Sequence, residues 1–101
     1  MKQVIVLSIK DYESEIQKIL KGIEIPIFSK VDIDGCRNAK RGVDLTNWFA
    51  NSVDSDFSVM YFAFVASDVA DQILDAIECW NESKGSQNPM HAFIQPVERI
   101  V

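Results

Sequence analysis

The spacing of apolar residues repeats along the chain: a short apolar run is followed, both times, by a segment with helical spacing. The first run covers residues 4–7 and the second residues 61–64. After each run an aspartate, Asp11 or Asp68, precedes apolar residues that recur at helical intervals, which is typical of a helix with one buried face. The pattern therefore predicts two copies of a strand–helix–strand unit.

Two further segments complete these units. Residues 23–33 alternate between apolar and polar side chains, which predicts a half-exposed strand that begins after Pro26, because proline cannot donate to a strand ladder. Residues 90–97 give the last strand. The fold class is thus α+β: a ferredoxin-like βαββαβ arrangement with an antiparallel four-stranded sheet and two helices on one face. We expect one domain over residues 1–101, with a long loop at 35–56.

The ends of both helices also carry sequence signals. Side-chain oxygens commonly accept hydrogen bonds from the first helical amides, so Asp11 is expected to cap the first helix and Ser67 or Asp68 the second. Gly22 is expected to end the first helix, because glycine adopts the left-handed conformation found there most readily.

Charge and composition limit the function. The 101 residues are 48% apolar and 25% charged, which is ordinary for a globular protein, and the net charge is −5. An acidic protein repels phosphate backbones, so nucleic-acid binding is not expected, even with the basic residues Arg37, Lys40 and Arg41. The N-terminal sequence has no pattern of an export signal or of a membrane span, which favours a cytoplasmic protein.

The residues that could carry chemistry are few. The chain has one histidine, His91, and two cysteines, Cys36 and Cys79, without metal-ligand spacing. Cys36 and His91 are residue types that provide soft ligands for zinc or copper, but we expect no metal site and no cofactor. No arrangement of nucleophile and base is apparent, so an enzyme is not expected.

The segment between the second and third strands lacks clear periodicity and combines aromatic with basic residues. Loops of this length in small domains are commonly functional. Because aromatic and arginine side chains dominate interface energetics, Arg41, Trp48 and Phe49 are candidates for contact with a partner protein. The alternative is that the two aromatic side chains pack on the chain's own sheet.

The order and lengths of these elements resemble the PII signalling proteins and their PII-like relatives. The resemblance covers nearly the whole chain and includes residues 57–76 and the ending 92–98, Ala-Phe-Ile-Gln-Pro-Val-Glu. It implies a homotrimer whose sheets face inward, with a small-molecule site in each cleft between subunits. Carried over to this sequence, the loop base provides Gly35, Arg37 and Asn38, and the turn before the last strand provides Asn88 and His91.

The sequence departs from the family at the turn that holds nucleotide phosphates. The family has a Gly-Asp-Gly-Lys type sequence there, whereas this chain has Asn88, Pro89, Met90 and His91. Fewer free amides and no lysine predict weak or absent ATP binding. The resemblance implies a PII-like regulator of a partner protein such as a membrane transporter. The sequence does not identify its effector. The alternatives are a divalent-metal-binding trimer of the copper-tolerance CutA type and a ferredoxin-like subunit of a larger assembly.

Overall fold

The computed structural model describes residues 1–35, 56–85 and 87–101. All strand pairs are antiparallel and the sheet order is β2-β3-β1-β4, which confirms the α+β ferredoxin-like fold class. In chain order the elements are β1 (Lys2–Ile9), a short 3-10 helix (Lys10–Tyr12), α1 (Glu13–Gly22), β2 (Ser29–Gly35), β3 (Asp56–Val65), α2 (Ser67–Lys84) and β4 (His91–Pro96).

The core lies between one face of the sheet and the two helices. Alternate residues of the central strands point into it, and the helices contribute residues at the predicted apolar spacing. Burying each large side chain of this kind stabilises the fold by about 1.5–3 kcal/mol. The principal buried residues are Val4, Val6, Val59, Tyr61, Ile16, Leu20, Ile73 and Ile77.

The opposite face of the sheet is apolar too, and no described element covers it. By register, Leu7 pairs with Met60 and Ile5 pairs with both Phe62 and Phe93, so these side chains share that face. Phe64 lies on the same face and is 52% exposed. The apolar runs at residues 4–7 and 61–64 therefore place apolar side chains on both faces of β1 and β3. We call this surface, formed by alternate residues of the four strands, the uncovered face.

β2 begins after Pro26, as predicted, but its apolar residues lie on the side away from the core. Val31 pairs with Met60 and Ile33 with Ser58, which places both on the uncovered face. Lys30 and Asp32 consequently point to the helix side. The apolar–polar alternation of β2 therefore adds to the uncovered face rather than to the core.

The start of α1 differs from the prediction. Its N-cap position is Tyr12, which makes no side-chain capping bond, and Asp11 belongs to the preceding 3-10 helix. The expected cap by Asp11 is wrong because the extra 3-10 turn places this residue one turn too early. The N-cap position of α2 is Ala66, again without a side-chain cap, so Ser67 and Asp68 are the first helical residues.

The C-terminus of α1 is closed by a glutamate in the left-handed region. Gly22 is the last helical residue, and Glu24 has φ 64°. The Glu24 amide donates to the Lys21 carbonyl at 3.0 Å and the Ile25 amide to the Leu20 carbonyl at 3.1 Å. This is the hydrogen-bond pattern of a Schellman motif. Gly22 thus ends the helix as predicted, but the left-handed conformation expected there is adopted by Glu24 instead. α2 ends at Gly85, which has φ 55°.

No described helix is both long and apolar enough to cross a lipid bilayer.

Candidate functional site

The first half of the candidate site lies where β2 and β3 join the loop. Gly35 pairs with Asp56 at the end of the ladder. A cavity of about 360 Å³ opens here, lined by Lys10, Asp32, Ile33, Asp34, Phe57 and Ser58. Phe57 lies beside these charged groups on the helix side of the sheet and is 80% exposed. The loop base thus combines two carboxylates, one ammonium group and an accessible aromatic ring.

Ion pairs connect the first half of β2 to the helix layer. Lys30 Nζ contacts Glu13 Oε2 at 2.6 Å, and Lys10 Nζ contacts Asp32 Oδ2 at 3.1 Å. Lys30 also lies 3.9 Å from Asp32, which connects the two pairs. The hydrogen bond from Lys30 to Glu13, together with the nearby carboxylate charges, raises the pKa of Lys30 above its ordinary value. These exposed pairs add a small electrostatic contribution to the contact between β2 and the helix layer.

The second half of the candidate site is the turn between α2 and β4. The Asn81 side chain donates to the Met90 carbonyl at 2.8 Å and accepts from the Met90 amide at 2.9 Å. Met90 is buried, so this pair of bonds holds the start of β4 against the end of α2. Next to it a cavity of about 230 Å³ is lined by Leu74, Ile77, Glu78, Asn81, Met90, His91 and Ala92.

The two halves lie at the same end of the sheet but on opposite edges. In register across the sheet, Val31 is followed by Met60, Leu7 and His91. Three strand spacings therefore separate β2 from β4, which corresponds to about 14 Å. Within one copy of the chain, Gly35 and His91 do not meet in one cleft. A site that uses both requires a second copy.

The fold resembles that of CPII, a nitrogen regulatory PII-like protein from Thiomonas intermedia K12. The CPII structure bound to ADP, AMP and bicarbonate has 13% sequence identity and a TM-score of 0.65, covering 99% of this chain and 94% of that one. The apo form of CPII gives a TM-score of 0.67 at 13% identity, covering 93% and 85%.

A third structure, CPII bound to ADP and bicarbonate, gives a TM-score of 0.63 at 14% identity and covers 93% of this chain and 82% of that chain. This chain has the PII-like fold. No protein-family model matches the sequence, and no curated protein matches it. The PII-like fold is thus established by topology over nearly the full length, and identity at this level establishes the fold alone.

Several residues predicted for the PII-like site lie outside the described ranges. These are Cys36, Arg37, Asn38, Arg41, Trp48 and Phe49, whose predicted roles in ligand and partner binding stay predictions. The described ranges hold Gly35, Asn88 and His91. In the same ranges, no three residues among His, Cys, Asp and Glu are grouped as metal ligands would be.

Two features of the candidate site were not predicted from the sequence. Asn81 follows Ile77 by one helical turn, so a polar residue at the next position of the apolar stripe was a signal that its amide has a buried partner. The pairing of Lys10 with Asp32 had no comparable signal, because it depends on the 3-10 turn after β1.

Proposed function

We propose that this chain forms a PII-like regulatory homotrimer that acts by binding and not by catalysis. Each cleft between copies binds a small effector, and the segment after β2 transmits its presence to a partner protein such as a membrane transporter. The PII-like fold over nearly the full length supports the class of protein. The main observation that supports a trimer is the uncovered face.

The composition of the uncovered face supports burial against other copies. Large side chains from all four strands contribute to it, and Phe64 and Val31 are 52% and 42% exposed. Exposed apolar surface of this kind commonly marks a protein–protein interface. β2 strengthens the argument, because Val31 and Ile33 face this side while Lys30 and Asp32 face the other. In a monomer, the orientation of β2 that places these two apolar side chains on the uncovered face would bring no stabilisation.

The separation of the two half-sites supports a ligand site between copies. Three strand spacings divide the loop base from the turn before β4, so the residues that the family resemblance assigns to one site can combine only across an interface. CPII binds ADP, AMP and bicarbonate. We propose effectors of this kind, a nucleotide with few phosphates or a small carboxylate-like anion, for this chain.

Light scattering coupled to size exclusion tests the assembly. We expect a mass three times that of the 11.4 kDa chain. Phe64→Lys should dissociate the trimer, whereas Gln72→Lys, which adds the same charge at an exposed position of α2 on the helix side, should leave it intact. A stable monomer for the unchanged protein, or a trimer that survives Phe64→Lys, would contradict the proposed use of the uncovered face.

Calorimetry on the trimer tests the effector. ADP, AMP, ATP and bicarbonate are titrated individually, with zinc and copper as probes of the metal-binding alternative. A ligand present at about 100 times its dissociation constant adds about 2.7 kcal/mol to the free energy of unfolding, so thermal unfolding provides an independent reading. Heat of binding with metals alone would favour the CutA-type alternative. No binding by any of these ligands would contradict the effector part of the proposal.

A further inference from the structure

A small cavity opens in the helix layer, between the start of α1 and the end of α2. Its volume is about 260 Å³, and its lining consists of Tyr12, Glu15, Trp80 and Lys84. None of these four residues lines either of the two cavities of the candidate site. The cavity is therefore formed within one copy of the chain, on the side of the sheet opposite the uncovered face.

Two aromatic rings provide the apolar part of this lining. Tyr12 and Trp80 form an edge-to-face pair, with ring centroids 4.9 Å apart and an interplanar angle of 65°. Both side chains also pack against the hydrophobic core, which holds them in place. Such a pair offers apolar contact surface to a ligand, and the negative faces of the rings attract a cation.

The other two lining residues carry opposite charges that are not paired. Glu15 is half-buried and Lys84 is exposed. Neither forms an ion pair with the other, or with any other residue in the described part of the chain. The helix dipole favours an acidic residue at the start of α1 and a basic residue at the end of α2. It accounts for the sign of each charge, but not for the lack of an ion pair across so small a cavity.

The lining also includes a buried hydrogen-bond donor without an acceptor. Trp80 Nε1 is buried, and no residue within the described ranges accepts a hydrogen bond from it. Buried polar groups in folded proteins are nearly always hydrogen-bonded, because an unpaired donor costs free energy. Trp80 and Lys84 are one helical turn apart on the same side of α2. An anionic group bound to Lys84 would provide the missing acceptor once the indole turns toward the cavity.

We propose that this cavity binds a free α-amino acid with an apolar side chain. The ligand ammonium contacts the Glu15 carboxylate and an aromatic face, the ligand carboxylate contacts Lys84, and the ligand side chain lies against the two rings. An anion or a cation alone would pair only one of the two charges. The cavity is smaller than those of drug-sized ligands, which suits a molecule of this size. This inference goes beyond the proposed function, because the site needs no contact between copies.

Calorimetry with three amino acids tests the site. L-leucine, L-methionine and L-phenylalanine are titrated up to about 10 mM, which detects a dissociation constant of about 1 mM or lower. The deaminated acid and the decarboxylated amine of each amino acid are the matched controls, which for leucine are isocaproate and isoamylamine. We expect at least one of the three amino acids to bind, and its two analogues to bind about tenfold more weakly or less.

Variants that remove one charge assign each group of the ligand to a residue. Glu15→Gln should lower the affinity for the amino acid about tenfold or more, and the amino acid should then bind no better than its deaminated analogue. Lys84→Met should likewise remove the advantage of the amino acid over the amine. Glu82→Gln and Lys21→Met make the same changes at exposed positions that do not line the cavity, and should bind as the unchanged protein does. The Tm without ligand, measured for all four variants, shows that each is folded.

No binding by any of the three amino acids would overturn the proposal, and so would an unchanged affinity in both Glu15→Gln and Lys84→Met. Phe64→Lys separates this inference from the proposed function. If that variant is monomeric and binds the amino acid as the unchanged protein does, the site within one copy is confirmed. If it is monomeric and folded but no longer binds, the site requires a second copy, which overturns this inference and leaves the trimer. If the unchanged protein is itself monomeric and binds as expected, the trimer fails and this inference is confirmed.

Discussion

Asn81 and Met90 are joined by two hydrogen bonds that run in opposite directions between a side-chain amide and one backbone residue. The amide nitrogen of Asn81 donates to the Met90 carbonyl at 2.8 Å, and its oxygen accepts from the Met90 N–H at 2.9 Å. Both backbone groups lie beside a side chain that is 2% exposed. The amide thus replaces a strand partner at the point where β4 begins.

Asn81→Leu should destabilise the protein by about 2–4 kcal/mol, because it leaves one buried donor and one buried acceptor without partners. Chemical denaturation with urea measures the change. Asn81→Asp is the control, since a carboxylate still accepts from the Met90 N–H but cannot donate, and it should cost less than Asn81→Leu. Equal stability of Asn81→Leu and the unchanged protein would show that the two bonds contribute nothing net.

Glu24→Gly should stabilise the protein. Glu24 has φ 64°, a conformation that costs an ordinary residue about 1–2 kcal/mol and costs glycine little. The greater freedom of glycine in the unfolded chain offsets about 0.5–1 kcal/mol, so we expect a net gain of about 0.5–1 kcal/mol. Glu24→Ala keeps the unfavourable φ and should bring no gain. A loss of stability in the glycine variant would contradict this explanation of the Schellman motif.

The sequence predicted the elements and their order because apolar spacing reports directly which side chains are buried. It failed where two physical signals compete. Asp11 is an ordinary capping residue, but an additional 3-10 turn moves the start of α1 beyond it. Gly22 is the residue most suited to a left-handed conformation, yet the Schellman bonds require that conformation at position 24.

The candidate site was predictable in part only, because its two halves lie on different edges of the sheet. Gly35 and His91 could be assigned to a loop base and a turn from their places in the chain. That three strand spacings, about 14 Å, separate β2 from β4 within one copy follows from strand order, which periodicity alone does not give. The apolar–polar alternation of β2 likewise predicted one apolar and one polar face, but it did not indicate which of the two faces contacts the helices.

The ion pair of Lys30 with Glu13 should contribute stability that is lost in strong alkali. The pKa of Lys30 is raised above the ordinary 10.5, so the folded state retains its proton more tightly than the unfolded state. The contribution is complete below pH 10.5 and disappears as the pH rises through the higher folded-state value. Because the pair is exposed to solvent, its effect on the free energy of unfolding should be small.

Thermal unfolding of the unchanged protein and of Lys30→Met, measured at matched pH values, isolates this contribution from other groups that titrate in alkali. The difference in Tm should narrow above pH 10.5 and also when salt is added at neutral pH. Glu13→Gln should give the same difference in Tm, and the variant with both substitutions should show no further decrease in Tm. A difference that is independent of both pH and salt would mean that Lys30 acts through packing of its aliphatic stem.

Trp80 and Tyr12 form an edge-to-face pair whose centroids are 4.9 Å apart at an interplanar angle of 65°. Trp80 Nε1 is buried and has no hydrogen-bond partner among the residues that the structure describes. Trp80→Phe removes this donor and keeps an aromatic ring, so it should change stability by less than about 1.5 kcal/mol. Trp80→Ala should cost about 3–5 kcal/mol. Similar losses for both variants, measured by urea denaturation, would indicate that the indole nitrogen has a stabilising contact.

ATP with magnesium should bind more weakly than ADP or AMP, if it binds at all. The turn before β4 is the place where the PII resemblance puts backbone amides against the phosphates. Here Pro89 has no N–H, and the Met90 N–H already donates to Asn81 at 2.9 Å. The described turn therefore has few hydrogen-bond donors for a third phosphate. The charge of that phosphate would remain incompletely paired, and the protein itself is acidic. Calorimetry at neutral pH compares the three nucleotides directly. Micromolar ATP affinity, with ATP the most tightly bound of the three nucleotides, would refute this prediction. It would indicate that Arg37, Lys40 or Arg41 in the loop provides the positive charge that the turn lacks.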